Sequence, residues 1–210
     1  MAWPLLERAF ELKTATTMLE FALEKYPVRR PLETGVQCLI RPLESQDQPA
    51  FLTFLGEVPE IERLFIKQRL DNPALMQDWC GDLDYDVRLP LLALADGKII
   101  GLATLEQRHG GWKRRIGMVH VLTHPAYRGV GLADMLIHEI VEIARHSGLA
   151  HLQSEFNGER IVAIRSFAEA GFVELVRIAD YVMDMQAKPH PYVLMGMKLG
   201  IDHENAGAGD

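Results

Sequence analysis

The chain has 210 residues, a formal net charge of -7, and ordinary globular fractions of apolar (48%) and charged (24%) residues. This length suits one domain with an extension, and the negative charge argues against a general nucleic-acid partner. Two cysteines are too few for a disulfide framework or for a zinc site with four cysteine ligands. The chain has neither a secretion-signal pattern nor an apolar run of about 18 residues. We therefore expect a cytoplasmic protein without a membrane partner.

The N-terminal region has apolar residues at helical spacing between positions 5 and 25. Pro27 and Pro31 then predict a break in the chain. We interpret residues 1–36 as an N-terminal helical extension whose apolar face packs on the main domain or on a second subunit, which would allow a homodimer. The apolar positions are Leu5, Leu6, Ala9, Phe10, Leu12, Met18, Leu19, Ala22 and Leu23.

The main domain is predicted to span residues 37–201. It begins with a short strand at 36–43, and a helical region follows at 46–70 with a break near Val58-Pro59. Residues 71–89 read as irregular and acidic.

Three consecutive antiparallel strands are predicted next. Asp96-Gly97 separates two apolar runs, which is a strong hairpin signal. Gly110-Gly111 indicates a second turn, which leads to an apolar strand at 116–122.

The remaining elements alternate between helix and strand. Their order predicts an α/β fold with a largely antiparallel mixed sheet flanked by helices. They are a helix at 131–147, a strand at 150–156, a helix at 159–170, strands near 173–184 and 192–199, and a flexible polar tail at 202–210.

Gly129 and Gly131 lie where the 131–147 helix begins. Glycines allow a ligand close to the backbone, and a helix N-terminus attracts phosphate, so the segment predicts a phosphate site. It does not match a P-loop. A dinucleotide fingerprint is also unfavourable, because Asp134 occupies the place of its last glycine and would repel a pyrophosphate.

The segment Tyr127-Arg128-Gly129-Val130-Gly131-Leu132-Ala133 resembles the acetyl-CoA signature of the GNAT acyltransferase superfamily, Arg/Gln-x-x-Gly-x-Gly/Ala. Pro125 and the later F-A-E-A-G-F at 167–172 also resemble the family, and the likeness covers about 36–200. The resemblance implies an N-acetyltransferase that transfers an acetyl group from acetyl-CoA to an amine of a small molecule or a protein N-terminus.

The resemblance also implies where CoA binds. Main-chain groups near Leu122 and Thr123 would face the pantetheine arm, with the Leu122 N–H as the oxyanion donor. Backbone N–H groups would hold the pyrophosphate. They belong to Arg128, Gly129, Val130, Gly131, Leu132 and Ala133.

Two residues are candidates for the catalytic base. The placement of Glu155 resembles that of the catalytic glutamate in N-terminal alanine acetyltransferases of the family. The other candidate is His120, because the reference pKa of a histidine suits proton transfer near neutrality. Either could instead be structural, with Glu155 paired to Arg160 and His120 satisfied within the sheet. We expect no metal, because His120 and His124 are spaced for one only on a helix.

The sequence departs from the family pattern at the position of the general acid. Many relatives have a tyrosine where this chain has Phe167, and an asparagine where it has Arg160. Tyr181, Tyr192 or solvent could replace the tyrosine. A catalytically silent acyl-CoA-binding sensor or scaffold is therefore an alternative function, and a nucleotide-binding oxidoreductase is a third.

Overall fold

The predicted strands, together with one that was not predicted, form an eight-stranded sheet in a computed structural model that describes residues 19–59, 80–81, 83–108, 110–184 and 186–200. The strands are β1 (Val28–Pro31), β2 (Gln37–Pro42), β3 (Arg88–Ala95), β4 (Lys98–Glu106), β5 (Ile116–Thr123), β6 (His151–Asn157), β7 (Val173–Met183) and β8 (Pro189–Lys198). The helices are α1 (Gln48–Glu57), α2 (Leu132–Arg145) and α3 (Ile161–Glu169).

The sheet has the order β1-β2-β3-β4-β5-β6-β8-β7. Its pairings are antiparallel except for β5 with β6. The mixed, largely antiparallel α/β fold is thereby confirmed. Among the described residues, none of the helices has the length and hydropathy that a bilayer crossing requires.

The predicted β3–β4 hairpin is confirmed at its turn. Asp96 and Gly97 have φ angles of 49° and 75°, the left-handed pair that a two-residue type I′ turn requires. Strand β5 then pairs antiparallel with β4, which completes the predicted three-stranded meander.

Helices cover the two faces of the sheet. Helix α2 buries its apolar stripe, including Leu132, Leu136 and Ile140, against one face, which we call the α2 face. Helix α3 adds Phe167 to the same core. Helix α1 packs Phe51 and Phe54 against Leu92 and Leu102 on the opposite face, which we call the α1 face.

The N-terminal region differs from its prediction. Residues 19–23 are helical and the helix ends before Pro27, but the segment around Pro31 joins the sheet, because Val28–Pro31 pair with β2 as an edge strand. An edge strand tolerates proline since its outer N–H groups need no partner. The sheet therefore starts inside the segment that we assigned to the extension; residues 1–18 lie outside the described residues.

Other boundaries move only slightly. The break near Val58 is confirmed, since α1 ends at Glu57. The predicted strand at 192–199 begins earlier, at Pro189, because it pairs with β7 along its whole length. The rest of the predicted 46–70 helical region, beyond residue 59, and the 202–210 tail lie outside the described residues.

A buried carboxylate joins α2 to the N-terminal segment. The Glu139 side chain is only 8% exposed and accepts hydrogen bonds from Lys25 Nζ (2.9 Å), the Tyr26 hydroxyl (2.8 Å) and Arg30 Nε (3.0 Å). Burial alone would raise the pKa of the Glu139 carboxyl, but the hydrogen bonds from Lys25 and Tyr26 and the nearby cations outweigh it and lower the pKa. Glu139 is therefore ionised at neutral pH and fixes α2 against β1.

We expect Glu139→Gln to lower the free energy of unfolding by about 2 kcal/mol at pH 7, because the neutral amide offers two cations and a phenol only one acceptor oxygen and no negative charge. Since the pKa is lowered in the folded state, this stabilisation is full above the unfolded pKa and is lost as the pH falls through the folded pKa. Chemical denaturation at pH 7 and below pH ~4 measures both effects.

Glu142→Gln is the matched control on the same helix. Glu142 pairs with Arg145 at the surface, so its loss should change stability by at most about 0.5 kcal/mol. Equal effects of the two substitutions would show that the Glu139 cluster does not anchor the N-terminal segment.

Candidate active site

The sheet opens between β5 and β6. Their parallel pairing covers three residue pairs, from Ile116 with His151 to Met118 with Gln153. At the next position a side chain takes the place of the backbone donor: the Ser154 hydroxyl donates a hydrogen bond to the Val119 carbonyl at 2.8 Å. Beyond that point β5 pairs only with β4, and β6 only with β8, so a gap separates the two strands.

Backbone groups of β5 face this gap. The His124 N–H donates to the Ile100 carbonyl at 2.8 Å, and Thr123 lies opposite Gly101. Since hydrogen-bonded and non-hydrogen-bonded pairs alternate along an antiparallel ladder, the Leu122 groups point to β4, whereas those of Val121 and Thr123 point to the gap. The sequence analysis named Leu122 and Thr123 but missed Val121. The direction of each residue's backbone groups follows from the register of β5 with β4, which the sequence does not show.

The two candidate bases flank the gap on the same face. Val119 and Ser154 contact each other on the α2 side, so the next residues, His120 and Glu155, lie on the α1 face. His120 is opposite the buried Thr104 of β4. The structure therefore brings both candidates to one site.

Tyr192, on β8, lies beside Glu155 of β6. It is opposite Asn157, one diagonal step from Glu155, and its hydroxyl donates a hydrogen bond to the Glu155 carboxylate. Burial, the negative charge of Glu155 and this hydrogen bond raise the pKa of Tyr192 to about 12. The Tyr181 ring packs against it, with ring centroids 5.6 Å apart. Tyr192 is thus a protonated donor at the site.

Phe167 lies on the other side of the sheet. Its ring is buried in the α2-face core, 5.0 Å from the Phe156 ring and 4.9 Å from the Phe172 ring. Arg160 directly precedes α3 as its N-cap residue.

The predicted phosphate seat lies at the N-terminus of α2. Gly129 and Gly131 have φ angles of 68° and 78°, which β-carbon-bearing residues rarely adopt. The first-turn N–H groups of α2, including those of Leu132 and Ala133, lack intrahelical partners by helix geometry. A Cβ at Gly129 would meet no atom within 4 Å, so the backbone is open to a ligand there. These features fit a pyrophosphate.

One acidic residue at this seat was not predicted. The Glu33 N–H donates to the Val130 carbonyl at 3.2 Å, and a Cβ at Gly131 would lie 3.0 Å from Glu33 Oε1. Glu33 belongs to the turn between β1 and β2, far from Gly131 in sequence. No local pattern could have identified it, because the β1–β2 pairing brings it there.

A buried histidine fixes the hairpin that contains Tyr192. His190 lies between Asp184 (3.1 Å) and Glu159 (3.2 Å). The hydrogen bond to Asp184, reinforced by Glu159, raises the pKa of His190, and the same bond lowers the pKa of Asp184. This arrangement connects the end of β7 to the start of β8 and to the loop before α3. Among the described residues, no cluster of three or more His, Cys, Asp or Glu side chains could hold a metal.

Comparisons with known proteins agree on one family. The profile of the Acetyltransferase (GNAT) family matches residues 55–172. No match was found among curated proteins.

Solved structures of similar fold cover most of the chain. An acetyltransferase of the GNAT family from Streptococcus pneumoniae is 24% identical, with a TM-score of 0.64, and the match covers 78% of this chain and 99% of that one. A ribosomal-protein-alanine N-acetyltransferase from Brucella melitensis is 21% identical, with a TM-score of 0.68 and coverages of 77% and 99%. The protein yncA from Salmonella typhimurium, solved with acetyl-CoA, is 16% identical, with a TM-score of 0.63 and coverages of 82% and 99%.

We expect Gly131→Ala to weaken CoA binding at least tenfold, and more than Gly129→Ala does. Both substitutions strain a left-handed backbone by about 1–2 kcal/mol. Only the Cβ at residue 131 also meets the Glu33 side chain, at 3.0 Å, so only there must a neighbouring side chain give way. Isothermal titration with CoA measures the affinities, and circular dichroism verifies that both variants fold.

The double variant Glu33→Ala/Gly131→Ala separates strain from collision. The reference is Glu33→Ala alone, which removes a negative charge beside the anion and should itself raise the affinity. Gly131→Ala should cost less affinity in the Glu33→Ala background than in the unmodified protein, since the atoms that the new Cβ meets are gone. An equal cost in both backgrounds would contradict a role for the Glu33 contact.

Proposed function

The chain belongs to the acetyltransferase (GNAT) family, and we propose that it transfers the acetyl group of acetyl-CoA to a primary amine at the gap between β5 and β6. The observation that carries the proposal is the convergence of three features at this gap. They are the outward-facing backbone groups of β5, the anion seat at the start of α2, and the pair of Glu155 with Tyr192 on the α1 face.

Backbone groups would hold the donor. First-turn N–H groups of α2, with the loop at 128–131, would bind the pyrophosphate. The N–H and C=O groups of Val121 and Thr123 would bind the pantetheine arm, because they have no partner in the β4–β5 ladder. When bound, acetyl-CoA supplies an activated acetyl group, whose bond to sulfur breaks as the bond to the amine nitrogen forms.

The Leu122 N–H is a poor candidate for the oxyanion donor that we expected from sequence. Its place in the ladder directs it to Leu102 on β4. We assign stabilisation of the charge that develops on the acyl oxygen to the Thr123 or Val121 N–H instead.

Glu155 is our first choice for the base. An alkylamine has a pKa of about 10.4, so at neutral pH it must lose a proton before it can attack. A carboxylate on the α1 face, beside the gap, can accept that proton directly or through water. His120, across the gap on the same face, is the alternative acceptor.

Tyr192 is our choice for the proton donor to the leaving sulfur. The phenol is protonated at neutral pH and lies on the α1 face, whereas Phe167 is buried on the opposite face. The Tyr192 hydroxyl also donates a hydrogen bond to Glu155, so the proposed acid and base are in contact.

A phenylalanine at position 167, where many relatives have a tyrosine, favours one second candidate, a catalytically silent acyl-CoA-binding module. Release of free thiol from acetyl-CoA, followed across a panel of amines, distinguishes the two. Binding of acetyl-CoA without amine-dependent thiol release would favour the silent module.

We expect Glu155→Gln to lower kcat/KM by roughly 10²–10⁴ near neutral pH while leaving acetyl-CoA affinity nearly unchanged. The loss should shrink at high pH, where more of the amine is already neutral. Steady-state rates between pH 6 and 10, with calorimetric titration of CoA, measure both effects.

His120→Gln is the parallel variant and should have the smaller effect. A larger loss in His120→Gln would transfer the role of base to His120. Rates near those of the unmodified protein in both variants would contradict the assignment of either side chain.

A further inference from the structure

Two rows of residues cross the sheet next to the proposed site. Glu155, Leu194 and Val176 lie directly opposite one another on β6, β8 and β7. In the next row, Asn157, Tyr192 and Ile178 do the same. Residues directly opposite across antiparallel strands share a face, so both rows lie on the α1 face with Glu155.

The outer part of these rows is apolar and open to solvent. Val176 and Ile178 are 37% and 36% exposed, and Tyr181, which packs on Tyr192, is 63% exposed. Leu194 lies between them and Glu155 and is half-buried. We call these four residues, Val176, Ile178, Tyr181 and Leu194, the apolar ledge.

The charged residues within 173–178 lie on the other face. Glu174 and Arg177 are opposite Met195 and Val193, which belong to the α2-face core, and they pair with each other at 2.7 Å. Ionic groups of this stretch are thus directed away from the ledge. The ledge can bind a ligand through apolar contact, but its own side chains offer no countercharge for a second cationic group.

We propose that the acceptor is an arylalkylamine, whose amine lies at Glu155 and whose ring lies on the apolar ledge. Neighbouring strands are about 4.8 Å apart, so the ledge extends from about 5 to 10 Å beyond the strand of Glu155. A ring joined to the amine by two carbons covers this span. The Tyr181–Tyr192 pair adds ring surfaces for offset or edge contact. This inference rests on the proposed function and names its acceptor.

A small ligand fits the ledge better than a second protein chain at the β7 edge. The β7–β8 register is irregular between Glu174 and Val176 and again between Ile178 and Val182. Such irregularities bend and twist an edge strand and disfavour the addition of another strand. The ledge is also continuous with Glu155 and Tyr192. A strand added at the β7 edge would not contact either of these two residues.

The test compares phenethylamine with ethylamine and with butane-1,4-diamine as acceptors. We expect kcat/KM for phenethylamine to exceed that for either of the others at least tenfold, since only its ring buries apolar surface on the ledge. In Ile178→Thr and Val176→Thr, which keep a β-branched shape, the ratio of phenethylamine to ethylamine should fall about tenfold when both substitutions are combined.

Val162→Thr is the matched control. Val162 is an 81% exposed valine on α3, away from the ledge, so this substitution should leave the ratio unchanged. Circular dichroism of each variant, together with the control, separates a loss of the ledge from a loss of the fold.

Direct binding makes failure of the ledge distinguishable from failure of the proposed function. Calorimetric titration of phenethylamine into the CoA-loaded protein should show binding that the combined ledge variant weakens, even if no amine is acetylated. Equal kcat/KM for all three amines, or a ratio that the ledge variants leave unchanged, would overturn the proposal. Conversion of a dimer to a monomer by the ledge variants, without a change in the ratio, would overturn it in favour of a second copy.

Discussion

The early end of the β5–β6 pairing is the constraint on which the rest of the site depends. A parallel pair that stops after three residue pairs leaves the next backbone groups without partners, and unpaired buried groups are costly. The Ser154 hydroxyl satisfies the first of them, the Val119 carbonyl. The groups beyond it, on Val121 and Thr123, face the gap, where we propose that the pantetheine arm binds. The fold thus offers an incomplete sheet at the one place where its strands change from antiparallel to parallel pairing.

Charge holds the second half of the site in place. Helix α2 directs its N-terminus to the end of the gap, and Glu139 in its middle fixes it to Lys25, Tyr26 and Arg30. The same N-terminal segment continues through β1 into the turn that carries Glu33 to the phosphate loop. Residues 25–33, which the sequence analysis assigned to an extension, therefore contact both helix α2 and the proposed pyrophosphate site at its N-terminus. The negative Glu33 side chain lies beside the proposed pyrophosphate site and should weaken donor binding. The hydrogen bond from the Glu33 N–H to the Val130 carbonyl nevertheless holds Glu33 at this position.

The roles of aromatic residues divide between the two faces of the sheet. Phe167 completes a cluster of edge-to-face rings with Phe156 and Phe172 on the α2 face, where a hydroxyl would need a partner. Tyr192 supplies a phenol on the α1 face, hydrogen-bonded to Glu155 and packed on Tyr181. The acid and the base that we propose, Tyr192 and Glu155, therefore lie on the same face of the sheet, opposite Phe167.

The sequence by itself determined the family and the described elements except β1. Periodicity, the Asp96-Gly97 turn and the Gly129/Gly131 loop are local signals, because each depends on backbone propensities within a few residues. Only the tertiary structure decided three other features. It places Glu155 near His120 and Tyr192, it directs the Val121 backbone groups to the gap, and it brings Glu33 to Gly131. Each depends on register between strands distant in the chain, and a shift of one residue would move every side chain to the opposite face.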